Sequence, residues 1–260
     1  MLLTTIALTA APCQPASAQT AWKCTGRGGI PWDEQITGCT DAINSATFSG
    51  TDLATIFKNR GTAYLGIGDL DHAIGDYDQA ISLNPGYAVA FNNRGYAYGL
   101  KRNFDRAIAD FDQAIRLDPN YATFWNRGNV YAAKQGRELA IADYTTAIRL
   151  NPDNGALYNV RGLQYYIEGK LDLALADYNK AIELSPKDYR PFDGRGSVYK
   201  RKGDFDLALA DFTQAIALDP NKAFTYSARG DVYRARNELD LAISDYTRSI
   251  ETRSEKFPRL

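Results

Sequence analysis

The chain has 260 residues, 45% of them hydrophobic, with a formal net charge of −1 and a single histidine. That balance offers no electrostatic footprint for nucleic acid or an anionic membrane surface, and one histidine cannot complete a histidine-rich metal site. No apolar run reaches the ~20 residues that a membrane-spanning helix needs.

Residues 1–18 read as a cleavable signal peptide. Leu2 to Ala11 is mostly apolar, and Ala16-Ser17-Ala18 ahead of Gln19 has the small-x-small form of a signal-peptidase site. No Lys or Arg precedes Lys23, so the usual positive n-region is missing, and a disordered cytosolic tail is the alternative. Pro12 before Cys13 argues against lipidation. Cleavage leaves Cys24 and Cys39, an even count that in an exported chain indicates a disulfide closing a loop of about 15 residues. In a cytosolic chain the same residues would be two free thiols. The expected location is periplasmic or secreted, with the cytoplasm as the alternative.

Residues 19–53 are expected to form an N-terminal cap. Within it, 33–43 look like a degenerate copy of a helix that recurs below, with Gln35 in the place of Ala73, Cys39 in that of Tyr77 and Ala42-Ile43 in that of Ala80-Ile81. Thr47 to Thr51 should connect this cap to the first full repeat.

From there a glycine recurs at Gly61, Gly95, Gly128, Gly162, Gly196 and Gly230, intervals of 34, 33, 34, 34 and 34. A period in this range signals a solenoid of helical hairpins. The units are 54–87, 88–120, 121–154, 155–188, 189–222 and 223–256, leaving a tail at 257–260. In each first helix an aromatic at position 4, the glycine at 8 and a tyrosine at 11 make one stripe. Each second helix carries alanine at 20, an aromatic at 24, isoleucine at 28 and, in five units, alanine at 27. Proline at 32 ends five of the units. Short turns such as Gly68-Asp69, Gly136-Arg137 and Gly203-Asp204 join the two helices. In the last unit Ser249, Thr252 and Ser254 replace apolar or proline positions, which suggests a second helix facing solvent.

Two charges recur on these stripes. Position 7 is Arg60, Arg94, Arg127, Arg161, Arg195 and Arg229, and position 23 is Asp76, Asp110, Asp143, Asp177, Asp211 and Asp245. Burying either alone is costly, so they are expected to pair as a structural ladder rather than to form a ligand track.

Small residues at 8, 20 and 27, aromatics at 4, 11 and 24 and proline at 32 resemble the tetratricopeptide repeat family over 54–253. The resemblance implies an all-α, right-handed α-solenoid whose first helices line a concave groove. It places groove positions at 2, 5, 6, 9, 12 and 13. These supply Asn59, Asn92, Asn93, Tyr96, Trp125, Asn126, Asn129, Asn159 and Tyr166 as candidates for holding an extended peptide, since asparagine both donates and accepts. The asparagines are similar to the ladder of O-linked N-acetylglucosamine transferase, although Val160, Gly194 and Ala228 end the row. Arg190, Lys200, Arg201 and Arg234, mingled with Asp193 and Asp231, make a candidate acidic-ligand end. The carboxylate clamp of chaperone-binding relatives is matched at Lys58 and Asn93 but not at Thr62, Ala122 or Asn126.

The expected function is a non-catalytic scaffold binding a protein or peptide, without cofactor or metal. A structural homo-oligomeric element is the alternative. No nucleophile beside a base, phosphate loop or metal spacing supports an enzyme. A monomer is favoured, with a homodimer through the C-terminal end as the other option.

Overall fold

The computed structural model describes residues 23–25 and 29–256; the signal-peptide expectation at 1–18 and the tail at 257–260 lie outside the described residues. A short 3-10 turn at Lys23–Thr25 precedes α1, Trp32–Asn44. Six hairpins follow. They pair α2 (Gly50–Gly66) with α3 (Leu70–Leu83), α4 (Ala88–Leu100) with α5 (Phe104–Leu117), and α6 (Tyr121–Ala133) with α7 (Arg137–Leu150). The rest are α8 (Gly155–Ile167) with α9 (Leu171–Leu184), α10 (Tyr189–Lys202) with α11 (Phe205–Leu218), and α12 (Ala223–Ala235) with α13 (Leu239–Lys256). The described residues contain no strand.

The chain divides into two compact units after Pro119. In the first, each helix from α1 to α5 packs on the next, and in the second the same holds from α6 to α13. First helices of neighbouring hairpins also touch, α2 with α4, α8 with α10 and α10 with α12. α2 and α4 therefore share one face in the first unit, and α8, α10 and α12 share one in the second.

One C-terminal cap shapes every hairpin. The residue at position 15 is left-handed throughout: Gly68, Arg102, Gln135, Gly169, Gly203 and Asn237. The next amide then donates back to the carbonyl of the position-11 tyrosine, as from Asp69 to Tyr64 at 2.9 Å and from Gly136 to Tyr131 at 2.8 Å. The third turn differs from expectation in one respect. Gln135, at φ 63°, takes the left-handed place, and Gly136 is the N-cap of α7 at φ −81°.

The first hairpin also starts sooner than its sequence suggests. α2 begins at Gly50, because Ser49 is extended at the N-cap and Asp52 sits in the first turn, where a carboxylate favours the helix N-terminus. The connection from α1 is correspondingly shorter than Thr47 to Thr51.

Packing explains the small-residue rhythm. Ala73, Ala107, Ala140, Ala174 and Ala208 are fully buried, and Tyr77, Phe111, Tyr144, Tyr178 and Phe212 fill the space beside them. A Cβ at Gly128 would lie 2.7 Å from the Tyr144 ring, so only hydrogen fits there. At the N-terminal end a disulfide joins Cys24 to Cys39 within a buried cluster that includes Ala42 and Ile56. The Gln35 amide donates to the Asn59 carbonyl at 3.2 Å. α1 thus covers α2 as a second helix covers the next hairpin.

The last helix departs from expectation. Thr252 is 2% exposed, while Ile243 and Ile250 are 62% and 67% exposed. Ser249 and Thr252 turn towards the neighbouring helix, while Ile243 and Ile250 face solvent. Inward burial is inexpensive because each hydroxyl finds a backbone carbonyl: Ser249 donates to Ala223 at 2.7 Å and Thr252 to Arg248 at 2.9 Å.

The arginine and aspartate of every hairpin form a two-pronged pair. Arg Nε donates to one carboxylate oxygen at 2.8 Å in Arg60–Asp76, Arg94–Asp110, Arg127–Asp143, Arg161–Asp177, Arg195–Asp211 and Arg229–Asp245. Nη2 donates to the other oxygen at 2.6–2.8 Å. The guanidinium lies by the aromatic at position 4, and in most hairpins also by the tyrosine at position 11. Arg161, for instance, is 5.8 Å from the centroids of both Tyr158 and Tyr165. Hydrogen bonding to its aspartate raises the pKa of Arg161 above the ordinary arginine value.

A third contact reaches backwards along the chain. Nη1 of Arg94, Arg161, Arg195 and Arg229 donates to Asp78, Thr145, Asn179 and Thr213, the position-25 residues of the preceding hairpin. Arg60 makes the same reach to Thr40 of α1. Arg161→Ala should cost about 3–5 kcal/mol, because it strands a buried carboxylate. Urea unfolding of Arg161→Ala, Asp177→Ala and the double variant should show coupling of at least ~1 kcal/mol. Strict additivity would exclude a direct interaction.

Candidate functional site

In the first unit the asparagines bond chiefly to their neighbours. Lys58 Nζ donates to Asn59 Oδ1, Asn92 Nδ2 donates to Asn93 Oδ1 at 3.2 Å, and Asn93 Nδ2 reaches Thr62 at 3.5 Å. All are half-buried, and Tyr96 beside them is exposed. Burial lowers the pKa of Lys58. The Tyr77 hydroxyl also donates to Thr62, at 3.4 Å, and burial pushes its pKa up to about 12.

In the second unit the candidates separate. The Trp125 side chain packs against the cluster of Ala147, Ile148 and Leu157, so part of its surface is spent on the core, and its indole N–H is buried without a partner. Asn129 accepts a 2.8 Å hydrogen bond from Tyr144. The same link joins Tyr246 to Asp231 at 2.9 Å. Positions 24 and 9 are thus coupled in several hairpins, and a polar residue at 9 beside a tyrosine at 24 was the readable signal.

Asn159 and Tyr166 do come together. With Leu163, Tyr178, Tyr189, Arg190, Asp193, Gly194, Ser197 and Phe224 they line a cavity of about 290 Å³. The cavity lies on the face shared by α8, α10 and α12. Gly194 makes room for it: a Cβ there would stand 2.5 Å from the Tyr178 ring. An asparagine at this position, as in the first three hairpins, would displace that ring.

The four cations of the candidate acidic-ligand end are all engaged within the chain. Arg190 grips Asp188 at 2.7 Å, and Lys200 binds Asp231 at 3.1 Å. Arg234 stands 3.8 Å from Asp231. Arg201 lies over the Tyr166 ring at 5.7 Å and donates to the Tyr166 carbonyl at 3.1 Å. Burial raises Asp231, but hydrogen bonds from Lys200 and Tyr246 outweigh it and hold this carboxyl below its usual range.

Asp193 is the exception. Its Oδ1 is buried and makes no well-formed hydrogen bond; the Thr225 hydroxyl nearby is close enough to favour the charge but is itself unbonded. Burial pushes the Asp193 carboxyl up to about 6, against weaker opposing pulls from Thr225 and Lys200. Because the folded state holds this proton more tightly than the unfolded chain, stability should fall as pH rises from about 4 to about 6. Asp193→Asn should remove that slope and stabilise the fold at pH 7 by on the order of 2 kcal/mol. Urea midpoints across this pH range would show it, and an unchanged slope in the variant would exclude the assignment.

His72 lies outside this face. It is exposed at the start of α3, where Asp69 caps the helix through the His72 amide at 3.2 Å and meets the ring at 2.7 Å. Among the described residues there is no group of three or more His, Cys, Asp and Glu side chains placed to hold a metal ion, and no helix long and apolar enough to cross a membrane.

Family profiles for the tetratricopeptide repeat match residues 54–87, 88–121 and 122–154, and a related TPR repeat profile matches 162–203 and 196–234. No curated protein matches the chain. Among solved structures, YrrB, described as a TPR protein with an unusual peptide-binding site, is 25% identical. That match covers 74% of this chain and 97% of YrrB, with a TM-score of 0.59. MamA is 26% identical over 65% of this chain and 93% of its own, with a TM-score of 0.58. A tetratricopeptide repeat protein from Parabacteroides merdae is 19% identical over 91% and 92%, with a TM-score of 0.70.

Proposed function

The chain belongs to the tetratricopeptide repeat family, and from that premise we propose that it is a non-catalytic scaffold that binds a peptide segment of a partner protein along the shared face of its first helices. The observation that carries this reading is the cavity between α8, α10 and α12, which gathers Asn159 and Tyr166 with further aromatic rings. A concave, largely apolar site with a few polar groups is the usual form of a binding pocket. On its own face the first unit carries similar chemistry: Asn92 and Asn93 share an amide–amide hydrogen bond and Asn59 accepts from Lys58, bonds that can be exchanged for those of a peptide backbone. The likeness to YrrB adds support, since that protein is described as having a peptide-binding site.

A random peptide library panned on the full chain should enrich binders. Asn159→Ala combined with Tyr166→Ala should weaken them at least about tenfold, or ~1.4 kcal/mol, by fluorescence anisotropy. The chain should sediment as a monomer throughout the titration. Failure to enrich any peptide, or unchanged affinity in the variant, would exclude this face; concentration-dependent self-association would favour the homo-oligomeric alternative through exposed Ile243 and Ile250.

We also propose an oxidising, periplasmic or secreted location. The buried Cys24–Cys39 bridge supports it, because such bonds persist mainly outside the reducing cytosol. Intact mass of protein purified from its native host under thiol-blocking conditions should rise by two hydrogens on reduction; thiols already blocked before reduction would exclude the proposal.

A further inference from the structure

We propose that the cavity between α8, α10 and α12 takes a lysine or arginine side chain of the bound peptide, with Asp193 as its counter-charge. The proposal rests on the peptide-binding reading and adds the chemical class of the anchor residue.

The charges at this end give the reason. The cations Arg190, Lys200, Lys222 and Arg234 face the anions Asp188, Asp219 and Asp231, and each of those anions already has a basic partner. Asp193 alone among these carboxylates makes no salt bridge; its buried Oδ1 forms no well-aligned hydrogen bond, and only the Thr225 hydroxyl and the Lys200 charge favour its ionised form in a cavity it helps to line. A carboxylate with a buried oxygen and no basic partner is costly to ionise, and an incoming cation offsets that cost. The free charge here is negative, the opposite of what the run of basic residues in the sequence suggests.

The remaining walls suit the same guest. Tyr166, Tyr178, Tyr189 and Phe224 surround the carboxylate with aromatic surface, and Phe224 is 67% exposed at the rim. Two of these rings already attract cations from within the chain: Arg201 over Tyr166 at 5.7 Å and Lys222 over Tyr189 at 4.9 Å. A long aliphatic stem ending in a positive head can bury its methylenes against such rings while the head meets the carboxylate. Acidic guests would meet Asp193, and neutral apolar guests would leave it unpaired.

Burial opposes its charge, while the Thr225 hydroxyl on α12 and the Lys200 ammonium on α10 favour it. Arg190 on α10, Tyr166 on α8 and Tyr178 on α9 line the same cavity, and Asp231 on α12 is held by Lys200. Burial holds Asp193 at about 6, so it is mostly ionised at pH 7.5 and mostly neutral at pH 5.

The test uses the full chain and the enriched peptides. Each should carry a lysine or arginine whose replacement by norleucine weakens binding to the wild type at least tenfold at pH 7.5. The same replacement should matter less than twofold in Asp193→Asn, a variant whose fold is checked by circular dichroism. Affinity for the basic peptide should also fall between pH 7.5 and pH 5 in the wild type only. Peptides without a common basic residue, or an equal norleucine effect in both proteins, would overturn the proposal while leaving peptide binding intact. Should no peptide enrich, the groove reading fails, and the cavity is probed with Nα-acetyl-lysine methylamide alone by tyrosine chemical shifts. Saturable binding lost in Asp193→Asn would support the cationic site; no binding, or binding unchanged in the variant, would overturn it.

Discussion

A guanidinium fixed on three sides governs the construction of each hairpin. The arginine at position 7 cannot be buried alone, and the aspartate at position 23 cannot either, so the two helices must meet in the register that joins them. The aromatics at positions 4 and 11 flank the cation, the alanines at 20 and 27 admit the neighbouring backbone, and the glycine at 8 clears the ring at 24. Such a pair contributes little net stability compared with an apolar replacement, yet losing one partner is severe.

Most of this was legible in the primary structure because each requirement falls on a residue type with few substitutes. Only glycine fits against the Tyr144 ring, and only arginine supplies two parallel donors with a third to spare. Where a position tolerates several types, the signal weakens. The acceptor for the third guanidinium nitrogen is Asp78, Thr145, Asn179 or Thr213, a set united by an oxygen rather than by identity. The left-handed turn residue varies from Gly68 to Gln135 because the surrounding hydrogen bonds can impose that conformation on a non-glycine residue. Ser249 and Thr252 turn inward despite their polarity because a hydroxyl can satisfy itself on its own or a neighbouring helix and then bury like a methyl group.

The candidate site was harder to read for a related reason. Repetition identifies positions that share a face, but each hairpin fills them differently, and the useful geometry arises where neighbours are unlike. Gly194 stands where other hairpins have asparagine, valine or alanine, and the space it leaves is occupied partly by the Tyr178 ring from the preceding hairpin. Asp193 beside it belongs, in the sequence, to a mixed set of charges. Whether a charge is free or already matched depends on side-chain reach across hairpins, which periodicity does not encode.

The backward contact of each arginine gives the stack a direction. Within a unit, the guanidinium of one hairpin completes its coordination only on the hairpin before it, as Arg195 does on Asn179 and Arg229 on Thr213. Deleting a terminal hairpin is therefore not symmetrical. Trimming from the C-terminal side leaves the remaining arginines fully supplied, whereas trimming from the other side leaves the new first arginine with a donor facing water. An array of this kind extends more cleanly by adding copies behind than by adding them in front.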